Sequence, residues 1–338
     1  MKILITGALG NLGIICVEEA LSRGFQVRCF DLDTPRNQYI ADKLRRRYVS
    51  AKGYVAAINS STENGTALEF VWGDISQITL NNSLLSDIDG VIHNACILPP
   101  NTETHPDLAY AVNVEGTRRL IRLAERQPGK LRFIYPSSVT VFGPPRSGHT
   151  RMQCGDPTIA SDQYTQHKLL CEADLKKSSL EWVIFRVGVS VDCRTTKTDL
   201  KTLKQLLNTD PDNPLEYVHP KDVAYAMCEA NSNGKAPQKT LLIGGGKPCQ
   251  VTQRDFLNAA LEGCGLHLSK SSFGKAPYYT HWMDTGESQQ LLKYQRHTFE
   301  HYRKEMADTF KTTRRLLTPI RPIANWFLNR VAQRMTAR

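Results

Sequence analysis

A glycine-rich turn directly follows the first apolar run of the chain, and it constrains the fold more than any other feature of the sequence. The segment ITGALGNLG covers residues 5–13 and carries three glycines at a spacing of three. A helix that starts in such a turn presents unpaired N–H groups and the positive end of its dipole, so a pyrophosphate can bind there when no side chain blocks it. The pattern predicts a dinucleotide-binding turn rather than a purely structural one. The predicted cofactor contacts are Gly7, Leu9, Gly10, Asn11, Leu12 and Gly13.

Asp31 ends the second apolar run, 24 residues after Gly7. A carboxylate at this position can accept hydrogen bonds from the ribose hydroxyls of an adenosine. It would also repel the 2′-phosphate of NADP, and no arginine directly follows it; Arg28 and Arg36 are the nearest. We therefore expect NAD as the cofactor, with NADP less favoured.

Short β-branched and apolar runs alternate with helical patterns over most of the chain. Strands buried on both faces of a parallel sheet have this composition. The alternation predicts an α/β fold, with a doubly wound parallel Rossmann sheet of about seven strands and a smaller C-terminal substrate lobe. Helices are expected at 12–23, 107–126, 162–177, 223–231 and 254–262, with Ser161 and Asp222 as helix N-caps. The predicted domains are a Rossmann domain of residues 1–185 and 216–246, and a substrate-binding lobe of residues 186–215 and 247–338.

The positive charge of the chain is concentrated near its end. The net charge is +10, and residues 293–338 carry eleven Lys/Arg against three Asp/Glu. The remainder is close to neutral, so no nucleic-acid-binding surface is expected. No apolar run approaches the roughly 18 residues of a membrane span, and no signal peptide is evident. Nine cysteines without metal-ligand spacing favour reduced thiols, a cytoplasmic location and no metal site.

The spacing of Thr6, Gly7, Gly10 and Gly13 resembles the extended short-chain dehydrogenase/reductase superfamily, also called the NAD-dependent epimerase/dehydratase family. Further matches follow in the family's order over roughly residues 1–250: GDI at 73–75, HNA at 93–95, NVEGT at 113–117, SSVTVFG at 137–143, YTQHK at 164–168 and VHPKDVA at 218–224. The resemblance implies that the turn containing Asp74 and Ile75 contacts adenine. It also implies that the segment containing Asn94 and Ala95 lies beside the nicotinamide ribose.

The catalytic candidates are Ser138, Tyr164, Lys168 and Asn113. Tyr164 and Lys168 are four residues apart and share a face of a helix. An unperturbed tyrosine has a pKa of about 10, and a nearby ammonium favours the ionised phenol, which could then take a proton from a substrate hydroxyl. Lys168 could also hold the nicotinamide ribose, so both residues count as cofactor contacts, and Ser138 could position the substrate oxygen. For Asn113, a proton-relay water and a role in satisfying backbone groups of a helix bend are equally open.

The segment FRVGVSVDC at 185–193 lacks the asparagine with which nucleotide-sugar epimerases of the family contact the substrate diphosphate. This favours a dehydrogenase or carbonyl reductase, with an epimerase or dehydratase as the alternative and a non-catalytic NAD sensor less favoured. Substrate specificity is expected from residues 98–100, from residues 144–159 and from the region around Trp282.

A basic amphipathic helix is predicted after Pro319. It places Ile320, Ile323, Phe327 and Val331 at spacings of three and four. Packing on its own domain or on a second subunit, consistent with a homodimer, is favoured over contact with an anionic membrane surface.

Overall fold

The structure is a computed structural model that describes residues 1–48, 67–79, 83–144, 151–195 and 200–336. Its strands are β1 (Lys2–Thr6), β2 (Gln26–Asp31), β3 (Leu68–Trp72), β4 (Gly90–His93), β5 (Arg132–Ser138), β6 (Glu181–Val187), β7 (Pro214–Glu216), β8 (Lys239–Ile243) and β9 (Gln250–Thr252). Its α-helices are α1 (Asn11–Ser22), α2 (Pro35–Tyr48), α3 (Asn101–Thr104), α4 (Pro106–Tyr110), α5 (Thr117–Glu125), α6 (Gln163–Lys177), α7 (Leu200–Asn208), α8 (Pro220–Ser232), α9 (Gln253–Glu262), α10 (Gly286–Leu292), α11 (Phe299–Thr309), α12 (Lys311–Leu317) and α13 (Arg321–Thr336).

Seven strands form one sheet in the order β3-β2-β1-β4-β5-β6-β8. The pairs β1–β2, β1–β4, β2–β3 and β4–β5 are parallel. The predicted α/β fold with a seven-stranded parallel Rossmann sheet is therefore confirmed. The strand order reverses between β1 and β4, and ligands of such sheets bind beyond the carboxyl ends of the strands at this reversal.

The chain forms two compact units. The first consists of Met1–Ser137, Asp162–Phe185 and Ala224–Thr240, and the second of Ser138–Ser161, Arg186–Val223 and Leu241–Arg338. The first unit has an apolar core in which Leu4, Val91 and Phe133 are fully buried. The second has its own core around Tyr217, Phe256 and Tyr302. The domain boundaries given above stay a prediction.

Two predicted helix starts are wrong by one or more residues. The N-cap of α6 is Asp162 rather than Ser161, because the Asp162 carboxylate accepts the Thr165 N–H at 2.7 Å and completes a capping box. Helix α8 begins at Pro220, so Asp222 lies in its first turn. The Asp222 carboxylate is buried and instead accepts hydrogen bonds from the backbone N–H and the ring of His297.

The predicted helix of residues 107–126 is interrupted by a π-helical segment, Ala111–Gly116, between α4 and α5. Such segments often occur at functional sites.

The predicted specificity segment 144–159 lies partly outside the described residues, since 145–150 are not among them. No helix among the described residues is long and apolar enough to cross a membrane.

Candidate functional site

The turn after β1 requires glycine at two of its three positions. Gly7 has a φ of +60°, and a Cβ there would lie 2.7 Å from the Ala95 nitrogen. A Cβ on Gly13 would lie 2.1 Å from the Gly7 carbonyl oxygen. The first glycine lets the chain turn at the carboxyl end of β1 and approach the segment after β4, and the last lets α1 pack against the turn.

Gly10 is the N-cap of α1, and no side chain caps the helix there. A Cβ on Gly10 would meet only the Gly7 carbonyl oxygen, at 3.2 Å. Asn11 and Leu12 form the first turn of this twelve-residue helix. A helix start that carries no capping side chain fits the phosphates of a dinucleotide, because the dipole and the N–H groups are available to an anion.

The Asp31 carboxylate lies beside this turn. Its oxygens accept hydrogen bonds from the Leu9 N–H at 2.8 Å, the Leu32 N–H at 2.8 Å and the Asn37 side-chain amide at 3.2 Å. A carboxylate offers roughly four acceptor positions, so these three bonds fix its orientation and leave capacity for a ribose hydroxyl.

Asn37 and Arg36 support the turn in ways that sequence reasoning missed. Asn37 is buried and donates both to Asp31 and to the Leu32 carbonyl. Arg36 donates to the Leu9 carbonyl at 3.1 Å and to the Asn37 side chain. Both residues lie in α2, and their only sequence signal is their proximity to Asp31.

The two predicted segments beyond β3 and β4 lie in the same unit as the glycine turn. Asp74 caps a short 3₁₀ turn by accepting a hydrogen bond from the Ser76 N–H. Ile75 is buried, and a Cβ on Gly116 would lie 3.0 Å from its side chain. The Asn94 N–H donates to the Thr6 carbonyl, and the Ala95 N–H donates to the Thr6 hydroxyl. Asn94 Oδ1 is buried and has no hydrogen-bond partner in the described part of the chain.

A buried chain of polar side chains joins the ends of β1 and β4 to α5, and sequence reasoning did not predict these contacts. The His93 ring contacts the Thr6 hydroxyl at 2.6 Å through Nδ1 and the Thr117 hydroxyl at 2.8 Å through Nε2. Burial lowers the pKa of His93 to about 3, so the ring stays neutral and serves structure.

Lys168 is buried in α6 with its ammonium held in place. Its Nζ donates to the Pro136 carbonyl at 2.7 Å and lies 4.7 Å from the Tyr135 ring centroid and 5.6 Å from that of Tyr164. Carbonyl and ring contacts stabilise a buried cation. Burial raises the pKa of Tyr135 well above its ordinary value, so this phenol stays neutral, whereas Tyr164 is only half-buried.

Asn113 lies in the π-helical segment and holds the loop after β4. Its Oδ1 accepts the Ile97 N–H at 2.7 Å, and its Nδ2 donates to the Ile97 carbonyl at 2.9 Å. These bonds satisfy backbone groups of the loop after β4 rather than of the helix bend, and the catalytic role of Asn113 stays a prediction. Nδ2 also lies 3.4 Å from His167 Nδ1, one residue before Lys168.

Ser138 is the last residue of β5 and begins the second unit. Its hydroxyl accepts the Thr140 N–H at 3.2 Å and lies 2.8 Å from the Thr140 hydroxyl. These bonds orient the serine at the strand end.

The second unit contains a largely apolar cavity of about 520 Å³. Its walls come from α7, β7, α9, α11 and the residue after α11, and include Leu206, Leu215, Phe256, Leu257, Leu261, Tyr302, Met306 and Phe310. Val189 and Val191, from the segment that lacks the asparagine, also line it. The volume lies within the range of small-molecule sites.

Comparison with known proteins finds relatives of this chain. The sequence model of the NAD dependent epimerase/dehydratase family matches residues 3–189. A protein of Sinorhizobium fredii without assigned function is 29% identical over 248 residues, which cover 69% of this chain and 53% of that protein. The 3 beta-hydroxysteroid dehydrogenase/Delta 5→4-isomerase of Mycobacterium tuberculosis is 25% identical over 296 residues, covering 80% of this chain and 71% of that protein.

The fold also matches solved structures. The UDP-glucose-4-epimerase of Stenotrophomonas maltophila, solved with bound NAD and formylated UDP-arabinopyranose, superimposes with a TM-score of 0.72 at 20% identity, over 94% of this chain and 99% of that one. At this identity the likeness concerns the fold. The chain spans about half the length of the Sinorhizobium relative.

Proposed function

Because this chain belongs to the NAD-dependent epimerase/dehydratase family, we propose that it is an NAD-dependent oxidoreductase that acts on a hydroxyl or carbonyl carbon of a small molecule. The observation that carries the proposal is the position of the buried Lys168 ammonium. It donates a hydrogen bond to the Pro136 carbonyl and lies 5.6 Å from the centroid of the Tyr164 ring. A fixed cation beside a half-buried phenol favours the phenolate, which is the form that accepts a proton.

The residues of this chain divide the work of alcohol oxidation. Tyr164 takes the proton of the substrate hydroxyl, Lys168 stabilises the phenolate, and Ser138 donates a hydrogen bond that positions the substrate oxygen. NAD, when bound, would accept the hydride from the carbon that carries this hydroxyl. In the reverse direction Tyr164 returns the proton to a carbonyl oxygen.

The cofactor would be held by the glycine turn and the segments around it. The uncapped start of α1 would bind the pyrophosphate, and Asp31 would accept from the adenosine ribose. The turn of Asp74 and Ile75 would contact adenine, while Asn94, Ala95, Tyr164 and Lys168 would hold the nicotinamide ribose. Asn113 acts in this scheme as a positioning residue through Ile97.

We expect a predominantly apolar substrate. The apolar cavity of the second unit and the lack of an asparagine in residues 185–193 support this class. The naming of one relative as a hydroxysteroid dehydrogenase points in the same direction. Secondary alcohols on apolar skeletons, including hydroxysteroids, are the substrates to test first.

Net formation of NADH tests the proposed reaction. Supplied with NAD and a panel of 3-hydroxysteroids and long-chain secondary alcohols, the protein is expected to raise the absorbance of NADH in proportion to ketone formed.

The second candidate, an epimerase or dehydratase, rests on a relative named UDP-glucose 4-epimerase in Drosophila melanogaster, 27% identical over 191 residues. Conversion of UDP-glucose without net NADH would favour that candidate and contradict the dehydrogenase.

Asp31 is expected to set the preference for NAD. Replacing Asp31 by serine should lower the ratio of kcat/KM with NAD to that with NADP about tenfold, because the carboxylate no longer repels a 2′-phosphate. Steady-state kinetics with both cofactors measures this ratio. The matched control is Asp33→Ser, an exposed carboxylate two residues later; an equal change in both variants would contradict the assignment of Asp31.

A homodimer and a cytoplasmic location complete the proposal. All nine cysteines lie among the described residues and none of them forms a disulfide there, which suits a reducing compartment. Light scattering of the purified protein measures the oligomeric state.

A further inference from the structure

The last helix of the described chain, α13, turns an apolar surface to solvent. We call this surface the outward face. Its side chains are exposed by 69% at Ile323, 67% at Trp326, 62% at Phe327 and 36% at Val331, and it continues to Ile320, which is 51% exposed and directly precedes α13. Arg330 and Arg334 lie on the same side of the helix, since each follows an outward residue by three or four positions. Large apolar side chains that are contiguous and exposed mark interaction sites.

The opposite face of α13 fixes this orientation. Leu328, Ala332 and Met335 pack with Leu207 and Leu268 of the same unit. The side-chain oxygens of Asn325 and Asn329 accept the backbone N–H groups of His267 and Ser269 at 2.8 Å. The sequence predicted that Ile320, Ile323, Phe327 and Val331 pack on their own domain or on a second subunit. Packing on their own unit is wrong, because these side chains are exposed. The helix is anchored by its other side, so the outward face is presented as a rigid surface.

The charge around this face has one sign. Residues 309–338 contain seven Lys/Arg and no Asp or Glu. Within the described residues, Arg314, Arg315, Arg321, Arg330 and Arg334 form no ion pair. A partner of this surface must therefore supply both an apolar layer and negative charge.

We propose that the outward face docks on the surface of an anionic lipid bilayer. Trp326 and Phe327 would enter the boundary between headgroups and acyl chains, together with the aliphatic side chains beside them. Arg330 and Arg334 would extend along this boundary to lipid phosphates, because their long apolar stems can lie against the acyl layer. A nucleic acid fits the face less well, because it offers no apolar layer to the exposed aliphatic side chains of Ile320, Ile323 and Val331.

A second copy of the chain fits the face less well. A two-fold interface brings the same patch of both subunits together. The arginines of one copy would then face those of the other, and this segment has no carboxylate to pair with them. Anionic lipid supplies the missing charge without this repulsion.

Co-sedimentation of the full chain with vesicles tests the proposal. Binding is expected to vesicles of phosphatidylcholine with 30% phosphatidylglycerol, to fall about tenfold for pure phosphatidylcholine, and to weaken as salt is raised. The double substitution Trp326→Ser/Phe327→Ser removes apolar contact, and Arg330→Gln/Arg334→Gln removes two charges; each is expected to lower the partition coefficient about tenfold or more. These side chains are exposed, so folding is retained, and circular dichroism checks this.

Two matched controls separate this face from general surface chemistry. Arg122→Gln/Arg126→Gln removes two exposed charges at the same spacing of four, and Leu108→Ser removes an exposed apolar side chain elsewhere. Both are expected to bind vesicles like the parent protein. Absence of binding to anionic vesicles at low salt, or equal losses in controls and test variants, overturns the proposal. So does a dimer that Trp326→Ser/Phe327→Ser dissociates, because the face would then be covered by a second copy. None of these readouts depends on catalysis.

Discussion

Replacing Tyr164 by phenylalanine is expected to lower kcat about 10³-fold while the Kd for NAD stays nearly unchanged. The substitution removes one oxygen, and with it the group that exchanges a proton with the substrate; general acid–base catalysis contributes about 10²–10⁴-fold. The ring whose centroid lies 5.6 Å from the Lys168 ammonium is kept, so this contact is retained in the variant. Absorbance of NADH measures turnover, and fluorescence titration measures NAD binding.

A tyrosine outside the candidate site gives this experiment a matched control. Tyr39→Phe removes a hydroxyl from an exposed tyrosine and should change neither kcat nor the Kd for NAD. Turnover of Tyr164→Phe within tenfold of the parent would show that another group moves the proton.

The fold could be predicted because its signals are local. Gly7 and Gly13 are dictated by a left-handed φ and by close approaches of the backbone, which force one residue type at each position. Alternating strand and helix patterns then specify a parallel sheet without knowledge of any distant contact. The seven-stranded sheet follows from these two signals.

Much of what supports the candidate site depends on contacts between distant parts of the chain. His93 bridges two threonines, and the Lys168 ammonium donates to the carbonyl of Pro136. No spacing in the sequence encodes these pairs, because each joins elements that only the fold brings together. The roles of Ser138, Tyr164, Lys168 and Asn113 stay predictions, because only measured activity can assign a part in the reaction to a residue.

Helix α13 shows a different limit of prediction from sequence. Periodicity identified α13 and its apolar stripe, but a period of 3.6 cannot say which face of a helix finds a partner. Leu328, Ala332 and Met335 form the packed face, whereas the more apolar stripe is exposed. The asparagines of the packed face determine which face is buried, because their hydrogen bonds to the loop at 267–269 can form in one orientation of the helix only.

Glu216 is a buried carboxylate that the proposed reaction does not use. It lies at the end of β7, fully inaccessible to solvent, and its oxygens accept the Gly246 N–H at 3.0 Å and the Met283 N–H at 3.2 Å. A Cβ on Gly244 would lie 2.5 Å from its side chain, so this glycine makes room for it. Burial raises the pKa of Glu216 from 4.5 to about 7, and the two N–H donors offset only part of that effect.

Substituting Glu216 by glutamine is therefore expected to make the second unit less sensitive to pH. A carboxyl whose pKa is raised by folding gives its full stabilisation below the unfolded pKa and loses it as pH rises through the folded pKa of about 7. Between pH 5 and pH 8 the free energy of unfolding of the parent should fall relative to that of Glu216→Gln by up to roughly 3 kcal/mol, because glutamine has no proton to lose. Urea unfolding of both proteins at the two pH values measures this difference. Glu287→Gln, an exposed carboxylate of the same unit, should follow the parent at both values. Parallel pH profiles of parent and Glu216→Gln would mean that Glu216 is ionised in the folded protein throughout, with its two N–H donors sufficient to hold the charge.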